Sequence, residues 1–429
     1  MRYRSFLLAA LLLPAAPFST AAQRGPACEP NHAGLTVPAG FCVVVVADTV
    51  GRPRHIAVAA NGDVYVAIDN VRGRGGAAGR RGGVLALRDI TGDGKPDLSV
   101  RFGDNGGTGI ALRGNQLYFA TNDAVLRYTL RSGELGAVGA PDTIVSELPA
   151  ERGHVAKSIA LGAGNALFVN IGSATNSCQE TDRTARSPGI DPCTELETRA
   201  GIWQFDATRL NQRQSDGTRY ATGLRNVVAL TTAPDGTVYG AQHGRDQLAA
   251  NWGFSNEYSA ENPAEIVVRI EHGDDYGWPY CYFSGEISRE LKSQVLAPEY
   301  GGDGKQPGRC SSKKMPLVDF PGHWAPNGIV AYTGTQFPEQ YRGGFFIAFH
   351  GSWNRAPLPQ QGFNVVFQPF SKGQPSGNYQ IFADGFAGSE KDQGRATHRP
   401  TGLALGPDGS LFITDDAGGR IYRVFHTDR

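Results

Sequence analysis

The chain has 429 residues, 40% of them hydrophobic and 19% charged, which is enough apolar side chain for a large core and excludes the composition of a disordered segment. Lysine plus arginine and aspartate plus glutamate both number 41, a balance that excludes the global basic field through which proteins attract nucleic acid or anionic lipid. The 57 glycines and 26 prolines, set among short runs of Val, Ile, Phe and Tyr, predict an all-β chain with many turns.

The first residues, MRYRSFLLAALLLPAAPFSTAAQ, place Arg2 and Arg4 before an apolar stretch that ends in small residues at Ala21 and Ala22, the pattern of a signal peptide over residues 1–22. That stretch is shorter than the roughly 20 apolar residues that cross a bilayer. No later segment is apolar enough either, so no membrane span is expected, and residues 23–429 are expected to form a single periplasmic or secreted domain. Cys28, Cys42, Cys178, Cys193, Cys281 and Cys310 form an even set, which in an exported chain points to disulfides. Pairing them in sequence order closes three short loops, and no spacing matches a CxxC zinc or redox motif.

After FCVVVVADTV, a strand from Phe41 to Val50, one pattern recurs along the chain. Its six copies are RHIAVAANGDVYVAI from Arg54, TGIALRGNQLYFAT from Thr108, KSIALGAGNALFVNI from Lys157, RNVVALTTAPDGTVYGA from Arg225, NGIVAYTGTQFPEQYRGGFFIAF from Asn327 and RPTGLALGPDGSLFITD from Arg399. Each is a polar start, a short apolar strand, a turn rich in Gly, Asn, Asp or Pro, and a second apolar strand. Such a hairpin cannot bury both faces alone, so the copies must stack, and blades arranged around an axis achieve that; a six-bladed β-propeller is expected. The copies leave about 65 residues per blade, above the usual ~40–50, so large insertions are expected, the longest around residues 244–325. GRIYRVFH, Gly419 to His426, follows the last copy, and with Phe41–Val50 it is expected to complete one shared blade, with Cys28–Cys42 stapling the entering strand.

Two loops carry weak motif signals. RGRGGAAGRRGG, Arg72 to Gly83, is Gly-rich, but no helix follows it, so it reads as a turn and not as a dinucleotide fingerprint. DITGDGKPD, Asp89 to Asp97, resembles the start of a calcium loop, yet Val100 stands where the closing acidic residue belongs; a plain turn is the favoured reading and a weak calcium site the alternative.

In a propeller, the start of each innermost strand and the end of the next strand share a face. That geometry gathers Arg54, His55, His154, Lys157, Arg225, Asn226, Asn327, His398 and Arg399 around one mouth of the axial channel. The strand-end positions add Asp69, Asn70, Asn122, Asp123, Ser173, HGRD at His243 to Asp246, HGSWNR at His350 to Arg355, and Asp415 with Asp416. So many cations converging in a neutral protein imply a small polyanionic ligand held by charge-assisted hydrogen bonds.

These residues carry a family resemblance. GHVAKS, ATGLRNVVAL, AQHGRD, EHGDDYGWPYC, WAPNGIVAYTGTQFPEQYRGGFFIAFHGSWNR and RPTGLALGPDGSLFITDDAGGRIYR resemble the exported PQQ-dependent sugar dehydrogenases, sorbosone and pyranose dehydrogenase propellers first and soluble glucose dehydrogenase more distantly. The likeness runs from about Gly40 to the C-terminus. It implies pyrroloquinoline quinone (PQQ), a tricarboxylate, lying over the channel mouth with a calcium ion. His154 would be the general base that takes a hydroxyl proton while a hydride passes to the quinone. Arg225 would hold a quinone oxygen and stabilise the charge developing there. Asn226 stands beside it. Arg399, His398, Arg355, Lys157 and His243 are the further candidates for the cofactor, and the main-chain carbonyls of Gly244 and Arg245 for calcium. Trp278 and Trp324 offer flat faces to a sugar or quinone ring, although core packing is the favoured role for both. In the glucose dehydrogenase branch an aspartate precedes the catalytic histidine; here Gly153 does, which leaves Asp246 and Asp415 as candidates to orient His154.

The resemblance implies oxidation of an aldose or sugar aldehyde, with electrons passing to an acceptor such as a cytochrome c. A calcium-dependent lactonase-like propeller and a binding module without chemistry are the alternatives.

Overall fold

The six recurring hairpins form the two inner strands of six antiparallel blades in the computed structural model, which describes residues 26–71 and 81–427. The segment predicted as a signal peptide and most of the Arg72–Gly83 loop lie outside the described residues. From the axis outward, blade 1 is Arg52–Val58, Val64–Asp69, Gly83–Arg88 and Leu98–Phe102. Blades 2 to 5 begin at the axis with Gly107–Arg113, Ile159–Leu161, Ala229–Thr232 and Pro326–Ala331. Blade 6 is Pro400–Leu405, Leu411–Asp415 and Arg420–His426, completed by Phe41–Ala47 from the other end of the chain, with Phe41 opposite His426 and Val45 opposite Tyr422. The ring therefore closes through the shared blade that the sequence predicts.

Blades stack through buried clusters on both faces of each sheet, as the continuous apolar strands require. At the closing seam Phe41 meets Phe337 and Phe382 edge to face, with ring centroids 4.8 and 5.0 Å apart. Near the axis, neighbouring innermost strands come too close for a side chain. A Cβ on Gly328 would lie 2.4 Å from the Thr401 carbonyl oxygen, and one on Gly402 would lie 2.4 Å from that of Arg54.

At the cavity end of the innermost strands, the ladder register shifts between Pro53 and Ile56, between Pro326 and Gly328, and between Pro400 and Leu403. A bulge re-aims side chains out of the sheet's alternation. Here it turns Arg54, His55 and Asn327 toward the axis, where His55 Nε2 donates to the Asn327 carbonyl across the channel at 2.9 Å.

The insertions start on the same face. Residues 172–200 leave the second strand of blade 3, 243–264 that of blade 4, and 350–363 that of blade 5. Those around residues 244–325 contain three short helices, Leu248–Trp252, Asn256–Glu261 and Gly285–Leu291, which the strand-and-turn reading did not anticipate because each is under eight residues long. All three disulfides form in sequence order: Cys28–Cys42 at the entering strand, Cys178–Cys193 and Cys281–Cys310 within insertions.

The Asp89–Asp97 loop is a self-capped turn. Asp89 accepts from the main-chain nitrogens of Gly92 and Gly94, and Asp97 from those of Ile90 and Thr91.

Candidate active site

The strand starts, bulges and insertions enclose a cavity of about 450 Å³ at one mouth of the propeller. Its wall includes Arg52, Arg54, Arg183, Arg225 and Arg399, facing Asp246, Asp416 and Glu265. Arginine charges therefore outnumber carboxylates before any histidine is counted, which is the local positive field expected from the sequence.

His154 stands in this wall, held from behind by the end of the second strand of blade 3. Its Nδ1 lies 3.0 Å from both the carbonyl oxygen and the Oγ of Ser173. Ser173 Oγ donates its own proton to the Thr175 carbonyl at 2.7 Å, so both oxygens facing the ring accept, and Nδ1 carries the hydrogen. Nε2 keeps its lone pair. Burial, then the charge of Arg225 and the proximity of His243, hold the imidazole well below its ordinary pKa, so it is neutral. Neither Asp246 nor Asp415 orients it; Ser173 does. Gly172 makes room: a Cβ there would fall 2.5 Å from His154 Cβ and 2.9 Å from Asn226 Oδ1.

Arg225 opens the polar start of the next hairpin and is nearly immobilised. Its Nε donates to the Asn176 carbonyl at 3.0 Å, Nη1 to the Gly244 carbonyl at 2.7 Å, and Nη2 to Asn176 Oδ1 and Asp246 Oδ2 at 3.0 and 3.3 Å. Four of the five guanidinium hydrogens are thus placed, and one on Nη1 remains for a ligand. Asn226 Oδ1 accepts from Asn170 at 3.4 Å, and Asn170 Oδ1 in turn fixes the Val227 amide.

His243 donates from Nε2 to the Pro326 carbonyl at 2.9 Å, and burial lowers it to about 4. For Asp246, burial pushes the carboxyl up, but the His323 imidazole 3.7 Å away and the charges of Arg225 and Arg183 overcome it and hold the group well below the usual carboxylate range. Glu265 accepts from the amides of Gly244 and Ala325 at 3.0 and 3.3 Å, and burial pushes it up to about 7.

On the opposite wall, Asp416 binds Arg54 and sits 2.6 Å from His350 Nε2. Arg399 donates to the carbonyls of His350 and Gly351 at 2.8 and 2.9 Å. Arg54 Nε and Asn354 Oδ1 are buried without a hydrogen-bond partner, and both residues line the cavity.

The structure brings His154, Arg225, Asn226, His243, Gly244 and Arg399 into this wall. Four other candidates lie outside it. Lys157 is fully buried and donates to the carbonyls of Pro149 and Val155 at 2.8 and 2.7 Å. Arg355 ties Ala260, Gly322 and Glu261 together, and His398 is bonded to Asp415 at 2.6 Å. The Arg245 side chain pairs with buried Glu299. In each case the side chain leaves its strand end away from the cavity and satisfies a buried partner. Trp278 and Trp324 are core residues, 4% and 6% exposed. Among the described residues, no group of three or more His, Cys, Asp or Glu stands in metal-binding geometry.

Glu265, His323, Asn176 and Arg183 escaped the sequence reading. Three come from insertions or a third strand, outside the repeat that guided the reading, and His323 lies between two elements.

A family model described as TrAA12-like matches residues 35–427. A pyrroloquinoline quinone-dependent pyranose dehydrogenase of Coprinopsis cinerea is 25% identical over 307 residues, 61% of this chain and 38% of that protein. The chain spans less than half the length of the curated relatives it matches. Among solved structures, a Trichoderma reesei enzyme of carbohydrate-active family AA12 superposes with a TM-score of 0.74 at 20% identity, covering 92% of this chain and 98% of that one. The holo PQQ domain of the Coprinopsis cinerea pyranose dehydrogenase gives 0.72 at 19% identity, covering 94% and 98%. At these identities the structural likeness is one of fold.

Proposed function

The chain belongs to the TrAA12-like family, and from that premise we propose that it is a PQQ-dependent sugar oxidoreductase acting on an aldose or sugar aldehyde. The observation that carries the reading is the pairing, in one cavity, of a neutral histidine whose Nε2 is free with arginines in excess of carboxylates.

The residues present fit an anionic cofactor. Arg54 donates from Nη1 to Asp416, and Arg399 uses only Nε and one hydrogen of Nη2 on carbonyls, so both retain donors for carboxylates. Burial lowers Arg399 to about 10, which leaves it charged. PQQ, when bound, would supply the acceptor for the hydride, and with it the two electrons, lost by the sugar carbon.

The chain's own residues do the rest. His154 accepts the hydroxyl proton at Nε2, and Ser173 fixes the ring so that this lone pair is presented. Arg225, clamped by four hydrogen bonds, offers its remaining N–H to negative charge without reorganising, the arrangement that stabilises a transition state most efficiently. Negative charge brought by the ligand raises the His154 pKa toward the working range.

Calcium fits less well. The Gly244 carbonyl already accepts from Arg225, and a cation there would share that oxygen with a guanidinium. No step above uses a metal.

Export is part of the proposal. Three disulfides suit an oxidising compartment, and among the described residues no helix is long and apolar enough to cross a membrane. A cytochrome c is the proposed acceptor.

The test is to add PQQ, with and without calcium, to purified apoprotein and follow quinone absorbance during incubation with aldoses, pentoses and sorbosone, using a dye as acceptor. Reduction by at least one sugar is expected. No absorbance change with any of them overturns the reading.

A further inference from the structure

Trp353 is 50% exposed, whereas Trp203, Trp278 and Trp324 are 4 to 6% exposed. Leaving half an indole in water forgoes much of the stabilisation its burial would bring. Yet the ring lines the cavity, where it is the one aromatic besides histidines among the described wall residues.

Its chain neighbours are pinned. Ser352 Oγ donates to Gln360 Oε1 at 2.7 Å and accepts from the Gln361 amide at 2.8 Å, while Asn354 Nδ2 is bonded to Asp246. A flat apolar face is thus held at the mouth by a fixed segment.

We propose that Trp353 is the stacking platform for the substrate's pyranose ring. The inference rests on the sugar-oxidising reading above. An aromatic face is electron-rich and attracts the C–H groups that a pyranose presents on a ring face. Trp353 is therefore a specificity-determining residue that favours a pyranose ring over a small open-chain aldehyde, which offers no such face.

The experiment compares wild-type protein, Trp353→Ala and Trp353→Phe by three readouts: PQQ binding by absorbance, glucose binding by calorimetry, and steady-state rates on glucose and a small open-chain aldehyde with a dye. For Trp353→Ala, the Kd and KM for glucose are expected to rise roughly tenfold, the loss of one well-packed apolar contact, with kcat within about twofold. PQQ binding stays unchanged, the KM for a small open-chain aldehyde stays unchanged, and Trp353→Phe recovers most of the lost glucose affinity. Unchanged glucose binding overturns the proposal. So does weakened PQQ binding, which would place the ring over the cofactor, and so does an effect confined to a cytochrome c acceptor, which would make the ring a docking contact. Wild-type protein that binds glucose in a Trp353-dependent way but oxidises no sugar overturns the oxidoreductase reading and keeps the platform. Oxidation of glucose with an unchanged KM in Trp353→Ala does the reverse, and a wild type that binds no sugar overturns both.

Discussion

Arg54, beside the axis in blade 1, and Asp416, just past the second strand of blade 6, are 362 residues apart and form a buried ion pair in the cavity wall. His350 completes the group from blade 5, its Nε2 2.6 Å from the same carboxylate. Three blades are thereby joined at one charge.

Replacing Asp416 with Asn keeps the shape and removes that charge, leaving a buried guanidinium without its counter-ion. Stability at pH 7 is expected to fall by roughly 3 kcal/mol, read from urea unfolding. The pH dependence follows from the depressed carboxyl: burial raises it, but His350 and Arg54 overcome that and hold it far below its unfolded value. Its stabilising contribution is complete above the unfolded value of about 3.9 and is lost as the pH falls through the folded one, so the gap between wild type and Asp416→Asn should close in acid.

His154→Gln should retain PQQ binding and lose roughly 10²–10⁴-fold in kcat, the usual contribution of a positioned general base. In the wild type, the base must be neutral to act, so kcat/KM is expected to rise with pH along an acid limb. Persistence of that limb in the variant would show that another group sets it.

Gly172→Ala tests the same histidine from behind. The added methyl would meet His154 Cβ and Asn226 Oδ1 at 2.5 and 2.9 Å, and neither lies at the end of a long flexible side chain. Turnover should drop at least tenfold, because a small misplacement of a catalytic group has a large effect. The thermal midpoint should change much less than in Asp416→Asn.

Lys157→Met addresses a candidate that the structure moves out of the cavity. PQQ affinity should be unchanged. Burial, with the charge of Arg199, lowers the Lys157 pKa to about 7. The folded chain therefore binds fewer protons than the unfolded chain between pH 7 and the unfolded lysine value of about 10.4, and stability gains over that window. Urea midpoints should show wild type gaining on Lys157→Met as the pH is raised from 7 to about 10.

The ring of hairpins was legible because each copy repeats the same polar start, strand, turn and strand, and a repeat that cannot bury itself alone has few ways to stack. The shared blade followed from the same frame, whereas the disulfide order was one of several pairings that six cysteines leave open. Side-chain direction did not. Lys157 and Arg225 occupy equivalent strand starts, yet one reaches back into main-chain carbonyls and the other lines the cavity. The difference lies in what the neighbouring insertion presents: Asn176 and Asp246 hold Arg225 in place, and neither belongs to the repeat. Ser173 was visible at a strand end, but its tie to His154 depends on Gly172 allowing the two backbones to approach.

The pairing of Phe41–Ala47 with Arg420–His426 has a consequence for biosynthesis. Because Arg399 and Asp416 arrive with the last copy, a nascent chain still lacking that copy has neither the seam nor the wall it carries. A truncated product missing the final strands would bare the faces of blades 1 and 5 that pack against blade 6, and would lack Arg399 and Asp416 at its centre.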